Sequence, residues 1–305
     1  MFCGKWAADA TADLLHCDCS AHQMGTIVKP GGQLMNLFWS AAGIFPGEAE
    51  ISPFAFEDRV KATAKAGFGG FSFWHTDLEA IGQTLSLGEI KRILDDNGIS
   101  TFEVEFIEDW FIDGDRRTAS DKRRRWLLEA SEVLGAHHIK VGDFKNTPVE
   151  MSRLIDEFAR LCADAAQHGA IIGFEFMKSA MIYDLDDCLA MVEGAAPSNG
   201  GLIVDIAHTN AIGISNDAVS RIPGRYMISV ELNDNLRAAS PGYDPAARRY
   251  CGDGELDIAG FIAAARATGY NGPWAVEVFN RAHAGWSLDR LEGTAYRTTL
   301  PYVTA

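Results

Sequence analysis

Ile203-Val204-Asp205-Ile206-Ala207-His208-Thr209-Asn210 follows the glycine pair Gly200-Gly201. The apolar run reads as a buried strand, yet it ends in Asp205 and then His208, two groups that are costly to bury without a partner. The pattern recurs in Ile171-Ile172-Gly173-Phe174-Glu175-Phe176, in Met227-Ile228-Ser229-Val230-Glu231-Leu232-Asn233-Asp234 and in Trp274-Ala275-Val276-Glu277-Val278-Phe279. Each is a short apolar strand with an acid near its C-terminal end. Four such strands in sequence imply four converging carboxylates.

Outward from these segments the chain alternates short apolar runs with amphipathic stretches of roughly 10 to 20 residues. Strands are expected at 34–45, 70–75, 100–107 and 138–141, and then around Glu175, Asp205, Glu231 and Glu277. Helices are expected at 52–66, 86–97, 118–134, 148–167, 184–193, 215–221, 257–268 and 288–302, several stopped by a glycine such as Gly67, Gly98, Gly169 or Gly269. Eight strands alternating with eight helices, without a Pro/Gly-rich linker, fit a single α/β domain, a (β/α)8 TIM barrel over 34–305, better than an open doubly wound sheet. No GxGxxG follows a first strand, which argues against dinucleotide binding. Residues 1–33 lack packing periodicity and the apolar core of a signal peptide, and are expected to be an N-terminal extension, disordered or mis-started ahead of Met24 or Met35. Within it, His16, Cys17, Cys19 and His22 lack the distant second ligand pair of a structural zinc site.

The chain has 305 residues, 47% hydrophobic and 23% charged, with a formal net charge of -15. Such a charge repels phosphate backbones, so nucleic acid is not an expected partner. The basic run Lys122-Arg123-Arg124-Arg125 precedes Trp126-Leu127-Leu128 and reads as a solvated helix face. No segment approaches the roughly 18 apolar residues of a membrane span. Six scattered cysteines suit a reduced, cytoplasmic setting better than a disulfide framework.

In a barrel, the strand C-termini share one mouth, so Glu175, Asp205, Glu231 and Glu277 meet there. Four carboxylates in a partly desolvated mouth call for a cation, and an all-oxygen set favours Mn²⁺ or Mg²⁺, with Co²⁺ as a further candidate. The alternative is that each acid pairs with Arg or Lys as a structural salt bridge. Trp39, Trp74, His75, Glu105, Trp110, Lys140, Asp143 and Lys145 are expected around the mouth. Aromatics suit the apolar face of a sugar ring and Lys140 a substrate oxygen, whereas the tryptophans could equally be core. No anion-binding glycine loop favours a phosphorylated substrate.

These motifs, together with Gly252-Asp253-Gly254-Glu255-Leu256-Asp257 and Gly272-Pro273-Trp274, resemble the xylose isomerase-like barrel family of sugar isomerases, epimerases and inosose dehydratases, over about residues 34 to 303. The resemblance implies metal ligation by Glu175, Asp205, Glu231 and Glu277, with Glu175 and Glu277 also acting as bases on opposite faces of the substrate. Relatives carry a histidine on strand seven where this chain has Glu231. His208 is implied as a second-layer or substrate-oxygen ligand, against a structural histidine satisfied by a carbonyl. The resemblance also implies that the loop 235–251 supplies an arginine to the substrate, with Arg237, Arg248 and Arg249 as the candidates.

The leading expectation is a metal-dependent isomerase or epimerase of a keto sugar or polyol. An inosose-type dehydratase on the same metal site is the alternative, and an abasic-site endonuclease and a non-catalytic scaffold are remoter ones. Homo-oligomerisation is expected by analogy with other barrels.

Overall fold

The computed structural model describes residues 34–37, 42–44 and 50–305. The extension 1–33 and Trp39 lie outside the described residues. Eight parallel strands close a barrel in chain order: β1 Leu34–Asn36, β2 Gly70–Trp74, β3 Thr101–Ile107, β4 His138–Val141, β5 Ile172–Glu175, β6 Gly200–Asp205, β7 Met227–Leu232 and β8 Trp274–Val276, with β8 paired back onto β1. The helices α1 Phe56–Ala66, α2 His75–Ile81, α3 Leu87–Asp96, α4 Asp115–Leu134, α5 Met151–Gln167, α6 Leu185–Ala195, α7 Ile206–Ile212, α8 Asn216–Val219, α9 Ile258–Ala267 and α10 Leu288–Thr304 form the outer layer. The expected single (β/α)8 barrel is therefore the observed fold. Among the described residues, no helix is long and apolar enough to cross a membrane.

The strands are apolar because helices cover the barrel outside and side chains fill it inside; β2, β4, β5, β6 and β8 are buried at every position. Helix punctuation follows local chemistry. Ser86 and Glu89 form a reciprocal capping box at the start of α3, and Gly67 ends α1 at φ 111°, a conformation that favours glycine.

Four elements depart from expectation. The first strand is Leu34–Asn36 rather than 34–45, and α1 begins at Phe56 because Ser52 is used in a turn, its hydroxyl bonded to the Ala42 carbonyl and to the Phe54 N–H. The short helices α2 and α7 were not foreseen; each starts on the residue after its strand, so no loop residue announces it. Asp205 caps α7 by accepting the Ala207 N–H, which places His208 in the first turn, over the mouth.

The long loop after β7 is pinned by one side chain. Asp234 accepts backbone N–H groups from Asn235, Gly252, Gly254 and Leu256 at 2.8, 3.0, 2.9 and 3.1 Å, and its backbone exchanges two 2.8 Å bonds with Arg249. A Cβ on Gly254 would sit 2.3 Å from Asp234 Oδ1, so only glycine fits. The consequence is that Arg248 is delivered into the barrel.

Glu292 on α10 is fully buried and accepts from Asn36 Nδ2 at 2.6 Å and Thr63 Oγ1 at 3.0 Å. Burial pushes its carboxyl from 4.5 up to about 7, only partly opposed by those bonds and by Arg59. A folded-state value above the unfolded one means stability that is complete below pH 4.5 and is lost as pH rises through about 7. The loss is on the order of 3 kcal/mol. Denaturant unfolding of wild type should therefore weaken over that window, and Glu292→Gln should flatten it; parallel pH curves for the two proteins would refute the assignment.

Candidate active site

The site begins with strand register. Asp205 on β6 lies opposite Glu231 on β7, Glu175 ends β5 and Glu277 follows β8. One oxygen from each of these four buried acids lies within 4.8 Å of the others, and a second grouping joins Glu175 and Asp205 to His208. The four sequence-derived acids are thus brought together.

Lys140 on β4 occupies the centre. Its Nζ stands 2.7 Å from Glu231, 3.0 Å from Glu105, 3.2 Å from Glu277, 3.5 Å from Glu103 and 3.9 Å from Glu175. The residue expected to meet a substrate oxygen is the buried counter-ion of the cluster. Burial works against the ammonium, but Glu105, Glu175, Glu231 and Glu277 outweigh it and hold Lys140 charged, well above its ordinary range. Glu103 was missed in the sequence, although Glu103 and Glu105 share one face of β3 and pair in register with His138 and Lys140. His138 Nε2 lies 2.6 Å from Glu103, and Lys140 and His138 overcome burial to hold Glu103 at about 2.

The second cation is Arg248. Its Nη1 bonds Asp205 at 2.8 Å, the Glu277 carbonyl at 3.2 Å and the Glu277 carboxylate, while Nη2 lies 3.2 Å from His208 Nε2. Arg237 is not in the mouth: it is exposed, with its N–H and Nε bonded to Glu255 at 3.2 and 3.4 Å. The Asp234 pin explains the choice, since the backbone bonds that flank Arg249 turn its neighbour inward.

Burial raises all the cluster acids, and neighbouring charges then separate them. Lys140, His208 and Arg248 hold Glu175 well below the usual carboxylate range, and Arg248 and His208 hold Asp205 down. Glu231, crowded by Glu277, Glu175 and Asp205, is pushed well up despite Lys140. Glu105 is likewise pushed well up, and Glu277 is raised although Lys140 and Arg248 oppose it. His208 Nε2 is 3.2 Å from Glu175 Oε1, so it stands against the cluster and not against a backbone carbonyl.

Above the cluster lies a cavity of about 430 Å³ lined by Trp74, Phe106, Phe144, Met177 and Phe279, with His75, Glu105, Arg123, Glu175, His208, Arg248 and Glu277. His75 accepts the Phe106 N–H at 3.3 Å; burial and then Arg123 lower it to about 3, so its ring is neutral. Trp110 packs against Phe111, Phe158 and Phe174 in the core. Asp143 and Lys145 shape the β4 loop, Asp143 accepting the Lys145 N–H at 3.1 Å and Lys145 pairing with Glu108 and Asp109 at 3.0 and 2.9 Å. In the basic run, Lys122 and Arg125 are exposed as expected, but Arg123 reaches the cavity.

Comparison with known proteins agrees with this architecture. The 3-dehydroshikimate dehydratase of Pseudomonas aeruginosa is 26% identical over 231 residues, 73% of this chain and 36% of that protein. The chain thus spans about a third of the length of that curated relative. A solved xylose isomerase-like TIM barrel/4-hydroxyphenylpyruvate dioxygenase fusion protein superimposes with a TM-score of 0.76 at 22% identity, covering 89% of this chain and 43% of that one. The IOLI protein, solved with a zinc atom bound, gives a TM-score of 0.74 at 16% identity over 89% of this chain and 98% of its own. The family described as xylose isomerase-like TIM barrel matches residues 60–297, well over half the chain. With the closed barrel and its strand-end acids in view, that match means that the chain belongs to the xylose isomerase-like TIM barrel family.

Proposed function

We propose that the mouth removes a proton from the carbon beside the ketone of a small hydroxylated substrate and expels the neighbouring hydroxyl as water, a dehydration of the 3-dehydroshikimate type. The observation that carries this reading is the convergence of Glu175, Asp205, Glu231 and Glu277 at the floor of an aromatic-walled cavity. Sequence likeness to the dehydratase supports elimination as the outcome.

A divalent metal belongs to the proposal. Six buried carboxylates (Glu103, Glu105, Glu175, Asp205, Glu231, Glu277) face two buried cations, Lys140 and Arg248, and both Glu231 Oε2 and Glu105 Oε1 are buried without a hydrogen-bonding partner among the described residues. The donor set fits a hard ion, with Glu175, Asp205, Glu231 and Glu277 as holders of Mn²⁺ or Mg²⁺. Such an ion, when bound, polarises the carbonyl and acidifies the adjacent C–H. The chain supplies the proton transfers. Glu175, held ionised by Lys140 and His208, takes the proton as the C–H bond breaks; Glu277, whose proton is held more tightly, gives one to the departing hydroxyl as the C–O bond breaks. Isomerisation or epimerisation of a keto sugar is the second reading, favoured by the placement of Glu175 at the end of β5 and Glu277 just after β8, which allows a proton to leave to one acid and return from the other.

Incubation of the metal-loaded protein in D₂O with 3-dehydroshikimate and, separately, with keto sugars distinguishes the two readings. Dehydration gives a product lighter by one water, whereas epimerisation incorporates deuterium without loss of mass; neither product from any substrate would sink both. Glu175→Gln and Glu277→Gln should each lower turnover at least about a hundredfold with the fold retained. Near-wild-type turnover in either variant would remove that acid from its role.

Lys140 and the metal compete for the same oxygens. Lys140→Met should destabilise the metal-free protein by about 3 to 5 kcal/mol, because it strands buried carboxylates, yet tighten Mn²⁺ binding at least about tenfold. Denaturant unfolding and calorimetric Mn²⁺ titration read these opposite signs. Unchanged or weaker Mn²⁺ binding would mean that the ion does not share the Lys140 acids.

A further inference from the structure

We propose that Arg123 is the anchor for a carboxylate on the substrate, so that the mouth selects an anionic ring over a neutral sugar. The assignment rests on the reading of the mouth as a proton-abstracting site, and it deepens that reading by naming what the far end of the substrate carries. Arg123 projects from α4 into the cavity with its side chain 28% exposed. Its one ion pair among the described residues is a loose 3.7 Å contact with Glu108, and Glu108 is itself held by Lys145 at 3.0 Å. Two arginines of the same helix are spent, Arg117 bonding Asp121, Glu157 and the Trp110 carbonyl and Arg124 pairing with Asp121 and Asp164, while Arg125 is exposed and does not line the cavity. Arg248, the other cation lining the cavity, is buried against Asp205 and Glu277. A guanidinium that faces a cavity without a hydrogen bond offers a fork for a planar anion.

The walls indicate what the anion is attached to. Phe106 stacks with Phe144 at 4.7 Å and with Trp74 at 6.3 Å, and Arg123 lines the same cavity close enough to His75, next to Trp74, to lower its proton affinity. A flat, largely apolar ring fits against that wall with its hydroxyketone edge at the acid cluster and its carboxylate at the guanidinium. A phosphate dianion is disfavoured, because Glu50, Glu105, Glu108, Glu175 and Glu277 also line the cavity and, with Arg248 paired to Asp205 and Glu277, Arg123 is the arginine left to meet a second negative charge.

The test uses the full chain loaded with Mn²⁺ and calorimetric titration with 3,4-dihydroxybenzoate, the aromatic product of dehydrating 3-dehydroshikimate, and with its methyl ester. Wild type should prefer the acid, and Arg123→Met should reduce the acid-to-ester preference about ten- to a hundredfold, with Arg123→Lys intermediate. Melting curves check that each variant is folded. An unchanged preference in both variants, or no binding of the acid by wild type, overturns the assignment. Displacement of the acid by submillimolar inorganic phosphate also overturns it, in favour of a phosphate anchor. Acid preference that depends on Arg123 without any turnover of 3-dehydroshikimate overturns the dehydratase reading and leaves the anchor standing; turnover with an unaltered preference does the reverse.

Discussion

The ammonium of Lys140 is the charge on which the rest of the barrel interior depends. Five carboxylates stand within 4 Å of it, on β3, β5 and β7 and just after β8, so a single side chain on β4 ties together the strands around the barrel. Isolated carboxylates at such depth would take up protons or force the strands apart, since desolvation of each costs several kcal/mol. One ammonium and one guanidinium do not balance six acids. The imbalance spreads their proton affinities apart, with Glu175 and Asp205 low and Glu105 and Glu231 high. The same imbalance that makes the cluster receptive to a divalent ion makes its members chemically unlike one another.

Much of the architecture was legible because barrel strands are buried on both faces and helices end on glycines. A run such as Ile203-Val204-Asp205 is apolar without alternation, and its acid marks the strand end; β4 was read to the residue as His138–Val141. Boundaries failed where a helix starts without a loop. Asp205 is at once the last residue of β6, the cap of α7 and a member of the acid cluster, and no period in the sequence separates those roles.

In the site, the strand-end acids were the most legible, and His75 and His208 were found although both fall in short helices; Glu103, the reach of Arg123 and the choice of Arg248 over Arg237 were not. The four strand-end acids could be found because periodicity assigns them a position along the barrel axis. Glu103 was readable in principle from its two-residue spacing to Glu105, but an acid in the middle of a strand carries no end signal. Arg248 lies in a loop whose path is set by Asp234 gathering backbone N–H groups from residues up to 22 positions away, a closure that composition does not encode. Arg123 sat in a basic run that looked uniformly solvated; a helix turns about 100° per residue, so one member of the run faces the mouth while its neighbours face water or other acids.

The departure at strand seven can be understood from the same charge. Relatives are expected to carry an imidazole where this chain has Glu231, and Glu231 supplies the shortest contact to Lys140, at 2.7 Å. An imidazole at that position would leave Lys140 with Glu105 at 3.0 Å and Glu277 at 3.2 Å as its nearest partners, and with one fewer negative charge to offset its own desolvation. The acid at 231 and the lysine at 140 are therefore best regarded as one unit, joined across the barrel interior from β7 to β4. The pairing does not neutralise the mouth, because the same ammonium is shared with Glu103, Glu105, Glu175 and Glu277. Against a histidine-bearing site with the same lysine, Glu231 adds a fourth carboxylate to Glu175, Asp205 and Glu277, so the substitution deepens the electrostatic demand for a cation at the strand ends.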